Sequence, residues 1–485
     1  MSSDNILPCA FKFALDPAYR CPHQVRRGGF CVFHALGDIV RLRGSLTSNL
    51  NPLVAEVQIA EGVQRIKQEF LDSFSALVAD VKNRGTDYDF TSFVFPEIYI
   101  TDVFEKAVLF RGCTFLGPAS FFGTDFQLGA NFAQCKFQST ADFSKSRFGT
   151  KASFSSAVFD STASFGEVHF SGDTHFDNVT FAGEADFFGT IFDGQTHFAS
   201  RFKAPASFLS TSFKGFVNFS QSRFQDSTRF FMTRFEESYF TDLGPESACK
   251  LEFDTVDLRK ASFRSTNIEQ VLFRNVKWNR SGGRWVLWDE IRPLSEGEFR
   301  EHERIAENYR QLVLNCEGKR DFDMAEEFHI GEMEMRKAIH NSTTGPPFWK
   351  ALRRHLNLYS AYSLVSRYGT SYVRAMSVFA VMVFVFAAVF LISGFQAMPD
   401  SLNSHLRLIR YGFCGSSAQQ CVSLREWLSD FWDAVLFTVS IVTFQRDRFY
   451  SPVGSISKLL VMVATILLTG QSGIVFLALR RRFKR

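Results

Sequence analysis

The fold is decided by residues 141–170, which read ADFSKSRFGTKASFSSAVFDSTASFGEVHF. Phenylalanine recurs in this stretch in steps that alternate between five and six residues, so the true period is eleven. The same beat runs through Phe110, Phe115, Phe121, Phe126, Phe132, Phe137, Phe143, Phe148, Phe154, Phe159, Phe165, Phe170, Phe176, Phe181, Phe187, Phe192 and Phe198. It slips once, between Phe198 and Phe202, and resumes from Phe208 to Phe235.

A small or β-branched residue stands two positions before each of these phenylalanines, as Ala141 does before Phe143. Five-residue steps would put successive Phe side chains on different faces of a helix, and a flat strand needs longer alternation. A chain that turns a corner every five or six residues points one large and one small side chain inward at each corner. Stacked coils then bury the Phe side chains in ladders, so the period predicts a solenoid. The alternative, an aromatic-rich low-complexity segment, does not explain so regular a phase.

Further along, the spacing becomes strictly five, and the large positions are Phe253, Leu258, Phe263, Ile268, Phe273 and Trp278. From roughly residue 90 to 280 this pattern resembles the pentapeptide-repeat family. The resemblance implies a square, right-handed parallel β-helix with the large residue at the centre position of each repeat.

Composition sets limits on the remaining functions. A chain of 485 residues should hold two to four domains. Its 54 basic and 50 acidic residues give a net charge of +4, which does not favour nucleic acid as a partner. The first ten residues lack the pattern of a cleavable signal peptide. Since no nucleotide-binding glycine motif, zinc-protease motif or nucleophile–base set is evident, neither an enzyme nor an organic cofactor is expected.

The N-terminal region carries a candidate structural zinc site. Its donors would be Cys9, Cys21, Cys31 and His34, three thiolates and an imidazole, which suffice for a closed tetrahedral site. The Cys-x2-His end resembles small zinc knuckles built from three cysteines and one histidine. The alternative is a set of unrelated reduced cysteines, since the first spacing is loose.

Helical patterns flank the solenoid. Residues 36–84 carry apolar side chains mostly at spacings of three and four, which predicts a helix that caps the first coil. Residues 295–340 carry two such stripes separated at Gly318, which predicts two antiparallel helices. This second segment resembles the part that follows the repeats in membrane-bound pentapeptide-repeat proteins. A basic aromatic stretch from Phe348 to Leu364 then predicts a helix at a membrane interface, with an ordinary packed helix as the alternative.

Two apolar stretches are long enough to cross a bilayer; the first carries no charge, and the second has Lys458 at one end. Residues 375–394 number 20 and residues 457–479 number 23, which meets the roughly 20 residues that a span requires. Arg367 and Arg374 precede the first stretch, and a cluster of Arg and Lys follows the second. The positive-inside rule therefore predicts a multi-pass protein of the inner (plasma) membrane with both termini cytoplasmic.

Between these spans, residues 431–444 are apolar but too short to cross, which predicts a re-entrant helix. Two spans around such a helix resemble the two-helix pore module of cation channels. That resemblance implies a homo-oligomer, with four copies expected, and a filter after the short helix. The filter candidates are Thr443, Phe444, Gln445, Arg446, Asp447 and Arg448. No glycine follows the short helix before Gly454, so a potassium-type carbonyl filter is not supported, and the adjacent Arg and Asp leave the sign of selectivity open.

Two further features of the membrane region leave alternatives open. Polar and aromatic residues share one face of the second span, and either line a pore or serve helix packing: Thr465, Thr469, Ser472 and Phe476. Cys414 and Cys421 lie seven apart in the outer loop and either form a disulfide or remain free thiols.

These observations predict a multidomain protein in which a β-helix with helical caps precedes a two-helix transmembrane domain with a re-entrant helix. The domains are a zinc knuckle (1–35), a helical N-cap (36–87), the β-helix (88–282), a helical hairpin (283–345), a juxtamembrane interfacial helix (346–374) and the membrane domain (375–485).

The leading functional hypothesis is a homo-oligomeric, ion-channel-like membrane protein whose β-helix serves assembly, gating or partner sensing. The alternative is a membrane-anchored scaffold that binds a cytosolic protein without conducting ions. Mimicry of DNA, which some soluble pentapeptide-repeat proteins use to bind topoisomerase, requires a strongly acidic surface that this chain lacks.

Overall fold

The computed structural model describes residues 52–243, 251–293, 301–342, 358–397, 407–409, 424–443 and 450–483. The chain divides into two compact units, one ending at Asp321 and the other beginning at Phe322. This boundary falls inside the helical hairpin predicted over 283–345. The first unit contains a parallel β-solenoid of about eight turns with helices at its ends.

In its regular coils, the solenoid contributes one two-residue strand to each of four faces, A to D in chain order. Face A begins with β1 (Tyr88–Asp89), β5 (Val108–Leu109), β9 (Ala130–Asn131), β13 (Ala152–Ser153), β17 (Thr174–His175) and β21 (Thr196–His197). Face B consists of β2 (Val94–Phe95), β6 (Thr114–Phe115), β10 (Lys136–Phe137), β14 (Val158–Phe159), β18 (Thr180–Phe181), β22 (Arg201–Phe202) and β25 (Arg223–Phe224).

The other two faces follow the same plan. Face C consists of β3 (Ile98–Tyr99), β7 (Ala119–Ser120), β11 (Ala141–Asp142), β15 (Ala163–Ser164), β19 (Ala185–Asp186), β23 (Ala206–Ser207), β26 (Thr228–Phe231), β28 (Leu251–Asp254) and β30 (Leu272–Arg274). Face D begins with β4 (Val103–Phe104), β8 (Asp125–Phe126), β12 (Arg147–Phe148), β16 (His169–Phe170) and β20 (Ile191–Phe192). The longer β24 (Ser212–Asn218) and β27 (Arg234–Tyr239) pair side by side, β24 joins faces D and A, and β29 (Ala261–Ser262) pairs with β27.

The strand register explains the alternating beat. Ala130 pairs with Ala152, 22 residues on, so a coil holds two five-residue and two six-residue steps. Where the spacing is strictly five, Glu252 pairs with Leu272 and the coil has 20 residues. The slip after Phe198 shortens the coil that contains it to 21 residues, since Thr180 pairs with Arg201.

The core confirms the predicted division into large and small inward positions. Phe143 is 0% exposed and Ala141 is 2% exposed. Phe165 stacks on Phe143 and Phe187 in adjacent coils, at ring-centroid distances of 5.1 and 5.0 Å. Because parallel stacks and edge-to-face contacts both recur from coil to coil, rings such as that of Phe165 have aromatic partners in several directions.

Five-residue corners close through a four-residue turn. Ser146 N donates to Phe143 O at 3.1 Å, and Lys145 between them has a φ of 61°. A left-handed third residue is the requirement of a type II turn. This position is a glycine at Gly112 and Gly123. At other corners it is a residue with a side chain, such as Lys145, which adopts the strained left-handed conformation.

A helix closes the N-terminal end of the solenoid, as predicted. Helix α1 (Pro52–Arg84) places the buried side chains of Phe70 and Phe74 on the first coil. Their rings lie 5.4 and 4.9 Å from those of Phe95 and Phe90, respectively. The predicted residues 36–51 of this cap lie outside the described part of the chain.

The C-terminal end is closed by a hairpin and two helices. Strands β31 (Asn279–Ser281) and β32 (Arg284–Val286) pair through Gly282 and Gly283, both with positive φ, as a two-residue hairpin turn requires. The predicted boundary at 282/283 therefore cuts through a hairpin, because the paired glycines form a turn within one element and do not end a domain. Helix α2 (Trp288–Ile291) follows, and helix α3 (His302–Gly318) packs on the last coil.

Buried Asp289 fixes α2 to the solenoid. Its carboxylate accepts hydrogen bonds from Ser262 Oγ at 2.6 Å and from Phe263 N at 3.1 Å. Burial raises the pKa of Asp289, and these two hydrogen bonds act in the opposite direction. The carboxyl group thus takes part of the place that a further coil would occupy.

Side-chain amides of α3 satisfy the open backbone edge of the last coil. Asn315 Nδ2 donates to the carbonyl oxygens of Ile268 (3.1 Å), Glu269 (2.7 Å) and Val271 (2.7 Å), and Gln311 Oε1 accepts from Ile268 N (2.8 Å). An unpaired strand edge is a template for association with another chain, and α3 removes it.

Replacing Asn315 with alanine is therefore expected to destabilise the end of the solenoid by about 1–3 kcal/mol, because buried carbonyl groups lose their donor. Glu317→Ala, an exposed change on the same helix, is the control and should have little effect. Hydrogen exchange of the peptides covering residues 265–275 would measure the difference. Equal exchange in the two variants would contradict this role for the amide.

The second unit contains five helices and a small sheet in its described part. The helices are α4 (Phe322–Ser342), α5 (Leu358–Ser366), α6 (Tyr372–Ser393), α7 (Leu424–Val442) and α8 (Gly454–Phe483). The sheet places β33 (Phe395–Ala397) between β34 (Arg407–Ile409) and β35 (Tyr450–Pro452), with antiparallel pairing on both sides.

Candidate membrane domain

Helices α6 and α8 are long and apolar enough to cross a membrane. Only 28% of the apolar stretch of α6 and 22% of that of α8 is buried inside the unit. Side chains such as Met376 and Val381 of α6 and Met462 and Ile466 of α8 are 50–72% exposed. Since each Å² of apolar surface left in water costs about 25 cal/mol, this exposure indicates membrane association rather than the core of a soluble protein.

The two helices run antiparallel. Near the start of α6, Ala375 O accepts a hydrogen bond from Gln471 Nε2 at 2.8 Å. After the end of α6, Gly394 O accepts one from Ser457 Oγ at 2.9 Å, close to the start of α8. The first helix is slightly longer than predicted and begins at Tyr372, with Ser371 as its N-cap.

Helix α7 packs against both of these helices. Its buried residues Ala434, Phe437 and Ile441 form a cluster with Ala387 and Phe390 of α6, with Val461, Ala464 and Leu468 of α8, and with residues of the small sheet. The rings of Phe437 and Phe390 lie 4.8 Å apart. The opposite side of α7 leaves Trp432 60% exposed.

The extent of α7 corrects the predicted helix over 431–444. It has 19 residues and begins at Leu424, because the polar run LREWLSD is also helical. The prediction followed the apolar run alone and so missed this first part. Asp433 of α7 accepts a hydrogen bond from Tyr450 OH at 3.2 Å, which ties the helix to the sheet. The sheet itself was not predicted, since three-residue strands carry no periodic signal.

Of the predicted filter residues, the structure describes Thr443. It follows the end of α7, is exposed, and donates its backbone N–H to Val439 O at 3.1 Å. The other filter candidates, Phe444, Gln445, Arg446, Asp447 and Arg448, lie outside the described residues, so the filter stays a prediction.

The predicted polar stripe on α8 is satisfied within the helix. Thr465 Oγ1 donates to Val461 O at 2.7 Å, Thr469 donates to Thr465 O, and Ser472 Oγ donates to Thr469 O at 2.8 Å. Phe476 is 66% exposed. Pore lining and helix packing, the two predicted roles of this stripe, both stay predictions. Gln471, in contrast, is 4% exposed and faces α6.

Exchanging Gln471 for leucine should weaken the helix pair by about 0.6 kcal/mol and by no more than about 1.7 kcal/mol, the range for hydrogen bonds between membrane helices. Thr465→Val is the matched control, because its hydroxyl bonds only to its own helix. Unfolding of the full chain in mixed micelles would measure both. A larger loss for Thr465→Val than for Gln471→Leu would show that the interhelical bond is unimportant.

The juxtamembrane prediction is corrected at its C-terminal end. Helix α5 ends at Ser366, and residues 367–371 form a tight turn before α6, so 346–374 is not one continuous helix. Leu358 and Leu364 of α5 are 86% and 73% exposed, which is compatible with a membrane interface.

In the preceding α4, burial opposes ionisation of Glu332, but His329 and Arg336 outweigh it and hold the pKa of Glu332 below its usual range.

The remaining site predictions fall on residues that the structure does not describe. These are the zinc ligands Cys9, Cys21, Cys31 and His34 and the disulfide candidates Cys414 and Cys421. Within the described ranges, no group of three or more His, Cys, Asp or Glu residues could hold a metal ion. The described cysteines Cys113, Cys135 and Cys316 are buried and free.

Comparison with known families identifies the repeats. A family model described as pentapeptide repeats (9 copies) matches residues 103–147 and 143–191, which lie within the solenoid. The chain therefore carries pentapeptide repeats folded as a parallel β-solenoid. No curated protein matches the chain. No solved structure matches it either.

Proposed function

We propose that the protein is a homo-oligomeric, channel-like membrane protein that carries its pentapeptide-repeat solenoid on the cytosolic side. In this proposal α6 and α8 span the inner (plasma) membrane, and α7 enters from the outer side without crossing. The solenoid serves assembly, gating or the sensing of a partner. No catalytic step is assigned to any residue.

The observation that carries this proposal is the packing of the 19-residue α7 against both apolar helices through Ala434, Phe437 and Ile441. Asp430 is also 8% exposed, so this amphipathic helix brings polar groups into the unit. Polar residues at membrane depth normally face a protein interior or a water path. The antiparallel pairing of α6 and α8 supports placing Arg374 and Arg481 on the same, cytosolic side.

A pore would require several copies of the chain, because two spanning helices cannot enclose a water path. The exposed surface of α7 around Trp432 and the exposed side chains of α8 provide apolar area for contacts between copies. Four copies are expected from the resemblance to two-helix pore modules. The ion is left open, since the adjacent Arg446, Asp447 and Arg448 carry opposite charges.

Planar-bilayer recording of the purified full chain tests the proposal. We expect unitary currents that are lost in a variant with the α7 contact removed, Phe437→Ala, and retained in Phe188→Ala, a change on the solenoid surface. Mass measurement in detergent should give a closed oligomer. A monomer, or silent bilayers under all ions and tensions, would exclude conduction.

A membrane-anchored scaffold is the second candidate, and one observation favours it. The solenoid exposes phenylalanines that are not part of the internal beat, with Phe122 and Phe188 44% and 42% exposed. Recovery of a stoichiometric cytosolic protein that is lost in Phe122→Ala and Phe188→Ala, together with silent bilayers, would favour this function.

A further inference from the structure

The turn between α5 and α6 has an unusual backbone. Arg367, Tyr368 and Gly369 have φ values of 51°, 61° and 76°. Three successive left-handed residues, two of which carry side chains, are unfavourable for an L-peptide. Such a conformation persists only where surrounding contacts enforce it.

Local hydrogen bonds hold this turn. Gly369 N donates to Ser366 Oγ at 2.9 Å, and Ser371 N donates to Ser366 O at 3.1 Å. Gly369 has a φ of 76°, and a Cβ there would lie 2.6 Å from Tyr362 OH, so a side chain at this position would be strained and would displace Tyr362. The turn is thus closed from both sides and fixes where α6 begins.

Tyr368 links this turn to two other helices. Its side chain is 0% exposed, and its hydroxyl donates to Glu334 Oε1 of α4 at 2.8 Å. Its backbone carbonyl accepts from Arg481 Nη1 of α8 at 3.2 Å. Tyr368 therefore contacts α4 and α8 and is itself part of the turn that precedes α6. Glu334, Tyr368 and Arg481 are called the Tyr368 clamp below.

We propose that the Tyr368 clamp couples α4 to the adjacent ends of both apolar helices, so that displacement of α4 moves α6 and α8 together. In this proposal the turn has the two arrangements that such coupling requires. In one, the clamp holds the left-handed turn, and in the other, the clamp is released and Arg367 and Tyr368 return to ordinary φ values. The inference rests on the proposed function only in treating α6 and α8 as membrane helices.

The test is hydrogen exchange measured by mass spectrometry on the full chain in lipid nanodiscs. Tyr368→Phe removes the hydroxyl that reaches Glu334 and keeps the ring. Tyr372→Phe makes the same chemical change four residues away and is the matched control. In Tyr368→Phe, amides in both 366–376 and 476–483 should exchange roughly tenfold faster, since a hydrogen bond to a charged group is lost. Peptides of the solenoid should not change.

Several outcomes would overturn the coupling. Acceleration confined to 366–372, the same acceleration in Tyr372→Phe, or no acceleration would each show that the clamp does not join the two helices. If Tyr368→Phe also accelerates exchange throughout the solenoid, Glu334→Gln decides the matter, because it weakens the acceptor and keeps the tyrosine. That variant must then accelerate both end segments, and exchange at one end alone overturns the proposal. If hydrogen exchange shows the coupling but bilayer recordings show no current, only the proposed channel function is contradicted.

Discussion

Phe187→Ala is expected to destabilise the solenoid by about 3–5 kcal/mol, the range for removing a buried phenylalanine. Phe187 is 0% exposed and stacks between Phe165 and Phe208, with ring-centroid distances of 5.0 and 4.8 Å. It also makes an edge contact with Phe198 at 5.4 Å. The cavity left by alanine would be lined by rings that are held in register by the coils above and below, so they cannot close it.

The adjacent Phe188→Ala is the matched control. Phe188 is 42% exposed and points away from the ladder, so its loss should cost less than about 0.5 kcal/mol. Hydrogen exchange of coil peptides in the full chain suits the comparison, because a solenoid unfolds coil by coil rather than in one step. Faster exchange should centre on the coils that contact Phe187. A small effect for Phe187→Ala, equal to that of its neighbour, would contradict the ladder as the source of stability.

This pair also shows why the solenoid could be predicted from sequence. The repeat alone predicts that Phe187 is internal and Phe188 is not, because Phe187 lies two residues after the small residue Ala185 and Phe188 does not. The 22-residue coil follows once two five-residue and two six-residue steps are added. The corners could not be predicted in the same way, since residues as different as Lys145 and Gly123 occupy the same left-handed position.

Less could be predicted where a contact depends on chain segments far apart in sequence. The amide of Asn315 reaches the edge of the last coil 44 to 47 residues earlier, and nothing in a helical stripe distinguishes it from a solvent-facing asparagine. Tyr368 is a similar case, because its partners Glu334 and Arg481 are 34 and 113 residues away. The apolar helices α6 and α8 were visible from length and composition, whereas the extent of α7 was not, since residues 425–429 at its start are exposed and lie outside the apolar run.

The other large effect is expected for Gly172→Ala, which should cost at least about 3 kcal/mol, the upper end for overpacking a tight site. Gly172 lies in a six-residue corner between faces D and A. A Cβ built there would lie 1.4 Å from Thr150 O and 2.4 Å from Thr150 C in the preceding coil. Both are backbone atoms, so no side chain can rotate away. Relief requires the coils to separate, which would strain hydrogen bonds such as Ser171 N to Phe148 O at 2.8 Å.

Gly166→Ala separates this steric effect from the general effect of losing a glycine. At Gly166 the nearest atoms to a new Cβ would be Ser144 Oγ at 3.6 Å and Ser164 Oγ at 3.7 Å, which are ordinary contacts. The alanine there should be neutral, or stabilising by about 0.4–1 kcal/mol through a less flexible unfolded chain. Hydrogen exchange of the coil peptides covering residues 141–176 in both full-length variants would measure the difference. Only Gly172→Ala is expected to destabilise the solenoid, because the six-residue corner brings the backbone of one coil against the next at residue 172. Equal effects of the two alanines would contradict coils that stack this closely.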